Sequence, residues 1–507
     1  MRPLTLLVCS MALIASEPSV TVYNGGFAVV RDHLDLALAQ GAGLISYPGA
    51  SAHVEPGTAM IAVPEGVRVL EQTYRNDPVS ATRLLQLFEG KTIDIEVMHG
   101  ERREIRKARI VRAPVTVHQD AWQRFGQAYA QRQQNIFYNG GAQGNEVLLE
   151  IDGQLRFGLP GTPIFPSLPA GTDLRPTLEW QVLTTTPVHG QGEISYLCDG
   201  MRWDAAYTLI SGADDEDHVD LNGVISVENQ CGTDFIKARL KFVAGDVAKL
   251  NEDENGRREA SDRRIGLAKG TMSDLIRVGV ESRAEDKAFS DYHLYTMPDA
   301  VDLRDRETKQ LGFIDVTHVA SGKRLVYDGL QIDWNQYQGR NRNNFRSQRD
   351  FGTAFSPKVS VERLIENKAA NKLGKPLPAG VVRCYLKDAD GRPEFIGESL
   401  IDHTPDGETM RLRTGNAFDI VGERIQTDFT VDEDQHRISE SFRVTVRNHR
   451  AQPATVLIVE HLYRTMNWEI RLPSQPFTKR DSSTIEVPVI VPAQGEATFT
   501  YIAGYSW

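Results

Sequence analysis

Thr177-Leu178-Glu179-Trp180-Gln181-Val182 is the first of five runs that decide the fold, followed by 193–197, 203–209, 219–227 and 238–244. Apolar and polar residues alternate along each run, the period of a strand with one buried face. The spacing is regular, no long helical pattern interrupts it, and turns such as Gly212-Ala213-Asp214-Asp215-Glu216-Asp217 separate the runs. Together these features predict an antiparallel β-sandwich.

The same pattern continues toward the C-terminus, with strands expected at 291–295, 309–319, 323–326, 359–366, 380–387, 394–399 and 409–412. More follow at 418–423, 426–431, 437–448, 454–463, 484–491 and 497–505. Asp388-Ala389-Asp390-Gly391 reads as a hairpin turn. An echo is visible within the chain: 224–229, a turn and 238–243 resemble 444–448, a turn and 454–459. Both are a strand, an Asn-terminated turn and a strand. Between these sets, 246–287 is charged, Gly-dotted and weakly apolar, and is expected to be a mobile insertion in the 177–507 sandwich region. The 336–349 stretch is a polar loop rich in Asn and Arg.

Toward the N-terminus, prolines 160, 163, 166, 169 and 176 deny ladder hydrogen bonds and mark 161–176 as a linker. Residues 17–160 read as a small β region, partly barrel-like, with short strands reversed by Gly-containing turns. Leu84, Leu85, Leu87 and Phe88 cluster in a helical segment over 78–88, with Gly90 as its stop. Trp122, Phe125 and Tyr129 suggest a second short helix within 118–134. The expected fold is therefore mainly β, an antiparallel sandwich assembly behind an N-terminal β region with one or two short helices.

Met1-Arg2, an apolar run over 4–14 and the small pair Ala15-Ser16 have the shape of a secretory signal over residues 1–16. No later segment approaches the roughly 18 consecutive apolar residues of a spanning helix. Localisation is thus expected to be periplasmic or secreted. A formal charge of −11 argues against a broad nucleic-acid surface.

Export permits disulfides. If 203–211 and 219–229 pair symmetrically about the acidic turn, Trp203 faces Ser226 and Cys198 faces Cys231, within reach of a bond. A disulfide between Cys198 and Cys231 is the expectation, with two buried thiols as the alternative. Cys384 reads as a solitary packed strand residue.

Several blocks carry a family resemblance. They are Leu174-Arg175-Pro176-Thr177-Leu178-Glu179-Trp180, Ile194-Ser195-Tyr196-Leu197 and Met201-Arg202-Trp203-Asp204-Ala205-Ala206-Tyr207, then Val227-Glu228-Asn229-Gln230 and Glu307-Thr308-Lys309-Gln310. Gly415-Asn416-Ala417-Phe418-Asp419, Glu460-His461-Leu462-Tyr463 and Asn467-Trp468 complete the series. In this order they resemble the bacterial family known as domain of unknown function 4139, which includes the mucoidy inhibitor A group. The resemblance spans roughly 168–507 and implies β regions without an assigned activity. Two departures stand out. The long coiled coil of the mucoidy-inhibitor members is absent, which puts any role of that rod in doubt. Cys198 and Cys231 also sit where the family pattern has small polar residues, a paired departure that suits a disulfide.

Known catalytic spacings are missing. There is no Gly-x-Ser-x-Gly, no His-x-x-x-His and no Cys-x-x-Cys, and Asn139-Gly140-Gly141-Ala142-Gln143-Gly144 precedes a strand rather than a helix. No catalytic residue, metal ligand or cofactor is therefore assigned. The acidic run 214–217 reads as a solvated turn and His461 as an ordinary strand histidine, while Trp180, Trp203, Trp334, Trp468 and Trp507 read mostly as core. The function expected is a non-enzymatic module that binds or scaffolds an envelope protein or polysaccharide through its polar loops or a sheet edge. The alternative is a glycan hydrolase acting through a carboxylate pair.

Overall fold

The computed structural model describes residues 17–76, 79–100, 102–114, 131, 146–168, 175–212, 215, 217–245, 285–289, 292–333 and 347–507. The signal expected over 1–16, most of the helix expected over 118–134 and most of the insertion expected over 246–287 lie outside them. The described chain is mainly β, with one α-helix and several antiparallel sheets. It divides into two compact units. One holds Asp32–Cys198 and Cys231–Thr233, the other Glu17–Arg31, Asp199–Gln230 and Asp234–Trp507.

In the first unit Thr177–Thr184 is the middle of a three-stranded antiparallel sheet, between Gly41–Pro48 and Val67–Arg75. Here the structure departs from the sequence reading, which placed this strand at the start of the C-terminal sandwich region. Alternation fixes which face of a strand is buried but not which partner it takes. Trp180, fully buried, pairs with Ile45 and Gln72 across the two ladders, and its indole N–H donates to Gln72 Oε1 at 2.8 Å.

A five-stranded sheet follows in the order Thr162–Ile164, Thr92–His99, Arg102–Arg112, Leu148–Ile151 and Gln154–Phe157. Its end strands do not pair with each other, so among the described residues it is an open sheet rather than a closed barrel. The helix Ala81–Leu87 lies within the expected segment, because the Ser80 side chain caps it by accepting from the Arg83 N–H. Leu85 and Phe88 complete a small core with Ile93, Ile95, Ala108, Ile110 and Leu149. The segment read as a linker contributes the short edge strand Thr162–Ile164, where Pro163 opposes Ile95. An edge is where proline costs no ladder bond.

In the second unit Met201–Ser211 and His218–Asn229 form the expected hairpin, but Trp203 faces Val227 and Asp204 faces Ser226. The register is one residue away from the symmetric one. Glu307–Ala320 extends the sheet on one side, and Gly380–Lys387 joins Met201–Ser211 in parallel, with Pro393–Ile401 beyond it. The turn between the last two strands closes at Asp388–Gly391 as expected, with Gly391 at φ +81.

A nine-stranded sheet occupies the C-terminal part, in the order Asn467–Arg471, Gly495–Ser506, Arg437–Asn448, Thr409–Asp432, Lys358–Glu366, Gly322–Asp328, Ala454–His461, Thr484–Val491 and Thr478–Lys479. Residues from both halves share one core, with Phe442, Val444 and Phe499 from one and Ile458, Val487 and Val489 from the other. The internal echo has a structural counterpart. In neither copy does the second strand pair with the first, so both are crossings rather than hairpins. Each first strand ends in a buried asparagine whose amide donates to carbonyls beyond its own strand, Asn229 to Leu303 and Asn448 to Gln452.

Candidate functional site

Cys198 and Cys231 are both fully buried, and no disulfide joins them. The one-residue register difference explains why hairpin symmetry fails as a guide. Cys198 lies in a different strand, Val188–Asp199, one residue before its end, and bridges to Val54, while the Cys231 thiol donates to Thr233 O, two residues on, at 3.9 Å. The Cys231 carbonyl accepts from the Ser51 hydroxyl at 2.6 Å and from the Ala52 N–H at 2.9 Å. Cys384 is packed as expected, and burial pushes its thiol up to about 11, against a smaller lowering by Arg363. A thiol held protonated at neutral pH is a poor nucleophile.

The inward-facing positions of the C-terminal sheet carry charge that the sequence survey missed. Ile438, Glu440, Phe442, Val444 and Val446 are all buried in one alternating phase, so Glu440 takes a core position. Arg424 and Glu460 do the same on Thr409–Asp432 and Ala454–His461. Arg424 Nε donates to Glu460 Oε2 at 2.9 Å, and Arg464 Nε donates to Glu440 Oε2 at 2.8 Å, with both pairs wholly shielded from solvent. Tyr501 donates to Glu460 and Tyr505 to Glu440. Burial, reinforced by those carboxylates, holds both phenols well above their ordinary pKa, so they remain donors. For Arg424 burial acts to lower the pKa, and the Glu460 carboxylate overcomes it. The guanidinium lies 3.8 Å over the Phe442 ring.

The free ends of these guanidiniums clamp a loop. Arg464 donates to the carbonyls of Gln348 (2.9 Å), Arg349 (3.4 Å) and Phe351 (3.1 Å), and Arg424 to that of Gly352 (2.9 Å). Gln348–Gly352 overlaps the end of the stretch whose sequence reads as a polar loop over 336–349; residues 336–346 lie outside the described ones.

His461 is poised differently. Its Nε2 lies 3.1 Å from Asp328 Oδ2 and its Nδ1 3.3 Å from Thr484 Oγ1, a carboxylate, imidazole and hydroxyl on three adjacent strands. Its pKa is raised, chiefly by the hydrogen bond to Asp328 and against an opposing effect of burial.

The acidic turn has partners that the sequence concealed. Asp215 Oδ1 lies 3.0 Å from His218 Nδ1, and Asp215 Oδ2 lies 3.8 Å from His318 Nδ1. The two imidazoles stack with centroids 3.7 Å apart and planes 9° apart. His318 reaches this position from a bulge in Glu307–Ala320, where pairing slips between Val219 and Leu221. There it adopts φ +58, and its N–H donates to Asp220 Oδ1 at 3.0 Å. Bulges re-aim side chains in this way. The hydrogen bond from His218 is the main cause of a lowered Asp215 pKa. A hundred residues separate the two histidines, so no local spacing could signal the cluster. Among the described residues no helix is long and apolar enough to cross a membrane. No protein-family model, curated protein or solved structure matches this chain.

Proposed function

We propose that the protein is a non-enzymatic binding or scaffolding module of the bacterial envelope, periplasmic or secreted, whose partner is an envelope protein or a surface polysaccharide. The observation that carries this reading is the clamp on Gln348–Gly352, at the end of the stretch whose sequence reads as a polar loop over 336–349. Two buried ion pairs hold the backbone there. A loop rooted on rigid strands is the usual carrier of recognition. By sequence that stretch carries Arg340, Arg342 and Arg346 among asparagines, residue types suited to carboxylates on an anionic partner. The ordered sequence blocks support membership of the domain-of-unknown-function 4139 family. The apolar run at 4–14 supports export.

The reading is tested by co-sedimentation with a purified uronic-acid polymer and a neutral glucan, and by in-cell cross-linking for a protein partner. Saturable binding or one reproducible cross-linked partner, lost on changing Arg340, Arg342 and Arg346 to Gln, is the expected result. New reducing ends released from the neutral glucan, or from the uronic-acid polymer without formation of an unsaturated uronate, would instead identify a hydrolase.

A further inference from the structure

The cluster of Asp215, His218 and His318 has the donor set and spacing of a metal site. Each residue offers one ligand atom, and those atoms all lie within 4.8 Å of one another. Two donors bound about 2.0–2.1 Å from one tetrahedral ion sit roughly 3.4 Å apart. From the single oxygen Asp215 Oδ2 the observed distances to the Nδ1 atoms of His218 and His318, 3.1 and 3.8 Å, bracket that value. Both histidines turn Nδ1 toward the same carboxylate, and because their rings stack in near-parallel planes 3.7 Å apart, binding one ion requires the two imidazoles to splay until each in-plane lone pair meets it.

The supporting structure also fits. The Asp215 carboxylate is oriented by the N–H groups of Asp217 and His218, at 3.2 and 3.1 Å. His318 is held in a left-handed conformation that non-glycine residues rarely adopt, with Asp220 fixing its backbone. Asp220 is itself paired with Lys387 at 3.5 Å, which leaves it to the bulge. Two imidazoles and one carboxylate select a first-row transition ion over calcium or magnesium, which favour all-oxygen sets.

We propose that Asp215, His218 and His318 bind one zinc-class divalent ion, with the remaining coordination position open to water or a partner's ligand. The half-exposed setting gives that open position access to solvent. The ion would tie Asp215 and His218 to the Glu307–Ala320 strand through His318.

The test is a titration of metal-stripped full-length protein with Zn²⁺ against a chromophoric zinc chelator, followed by thermal melting with and without the ion. The expected result is one ion per chain, a raised melting temperature, and affinity weakened at least about tenfold in His218→Gln and in His318→Gly, a loss on the scale that even outer-shell changes produce. His318→Gly removes the ligand while glycine accepts φ +58 without strain, so this variant is expected to keep its fold. His461→Gln, which alters a histidine outside the cluster, should bind as the parent does. Absence of saturable Zn²⁺ binding, or binding unchanged in both cluster variants, would overturn the proposal.

Discussion

Arg424 and Glu460 meet at 2.9 Å with neither side chain exposed to solvent. A buried pair of this kind is weak evidence of net stabilisation, because desolvating two charges offsets much of their attraction. Its consequence lies in what happens when one partner is removed. Glu460→Ala leaves the Arg424 guanidinium buried without its counter-charge and strands the Tyr501 hydroxyl. The expected loss is about 3–5 kcal/mol in urea unfolding. The double change Arg424→Met with Glu460→Leu should cost much less, and a double variant as unstable as Glu460→Ala would argue against this account.

Tyr327 offers the reverse case. Its hydroxyl is buried and finds no hydrogen-bond partner among the described residues, while its ring lies against Gly422, where an added Cβ would come within 2.1 Å. Tyr327→Phe is expected to be neutral or stabilising by about 1 kcal/mol, since it removes an unsatisfied polar group. Gly422→Ala should destabilise strongly through overpacking, by about 1–3 kcal/mol or more. Chemical denaturation of the two variants side by side checks both signs.

The Asp328–His461 contact sets a pH dependence. The folded pKa of His461 is raised, so its contribution to stability is full below the unfolded value of about 6.5 and is lost as pH rises through the folded value. Asp328→Asn removes the chief cause. An NMR titration of the His461 ring should show the midpoint falling toward the ordinary histidine value in that variant, and an unmoved midpoint would refute the assignment.

The thiols make a simple chemical test. Cys198, Cys231 and Cys384 are fully buried, and no disulfide joins them. All three should resist a thiol reagent in the native protein and react in denaturant without prior reduction. If Cys198 and Cys231 react only after reduction, the pair is oxidised in the isolated protein.

Much of the architecture was legible in the chain. Period-two alternation identified Thr177–Thr184, Met201–Ser211 and Arg437–Asn448 as strands, because burial of one face imposes that spacing whatever the partner. The Asp388–Gly391 turn and the Ser80-capped helix followed from local chemistry. Even the buried Glu440 left a trace, a charge standing in the inward phase between Ile438 and Phe442.

Pairing was decided only by the tertiary structure. Nothing local tells Thr177–Thr184 to join Gly41–Pro48, or sets Trp203 against Val227 rather than Ser226, because one residue of register is chosen by the summed packing of both strands. The same holds for the chemistry. The sequence by itself determined a mainly β chain with ordinary-looking histidines and acidic turns. Only folding carried His318 onto His218 and Asp215, since a bulge aims a side chain by the partner strand opposite it, and that partner lies a hundred residues away.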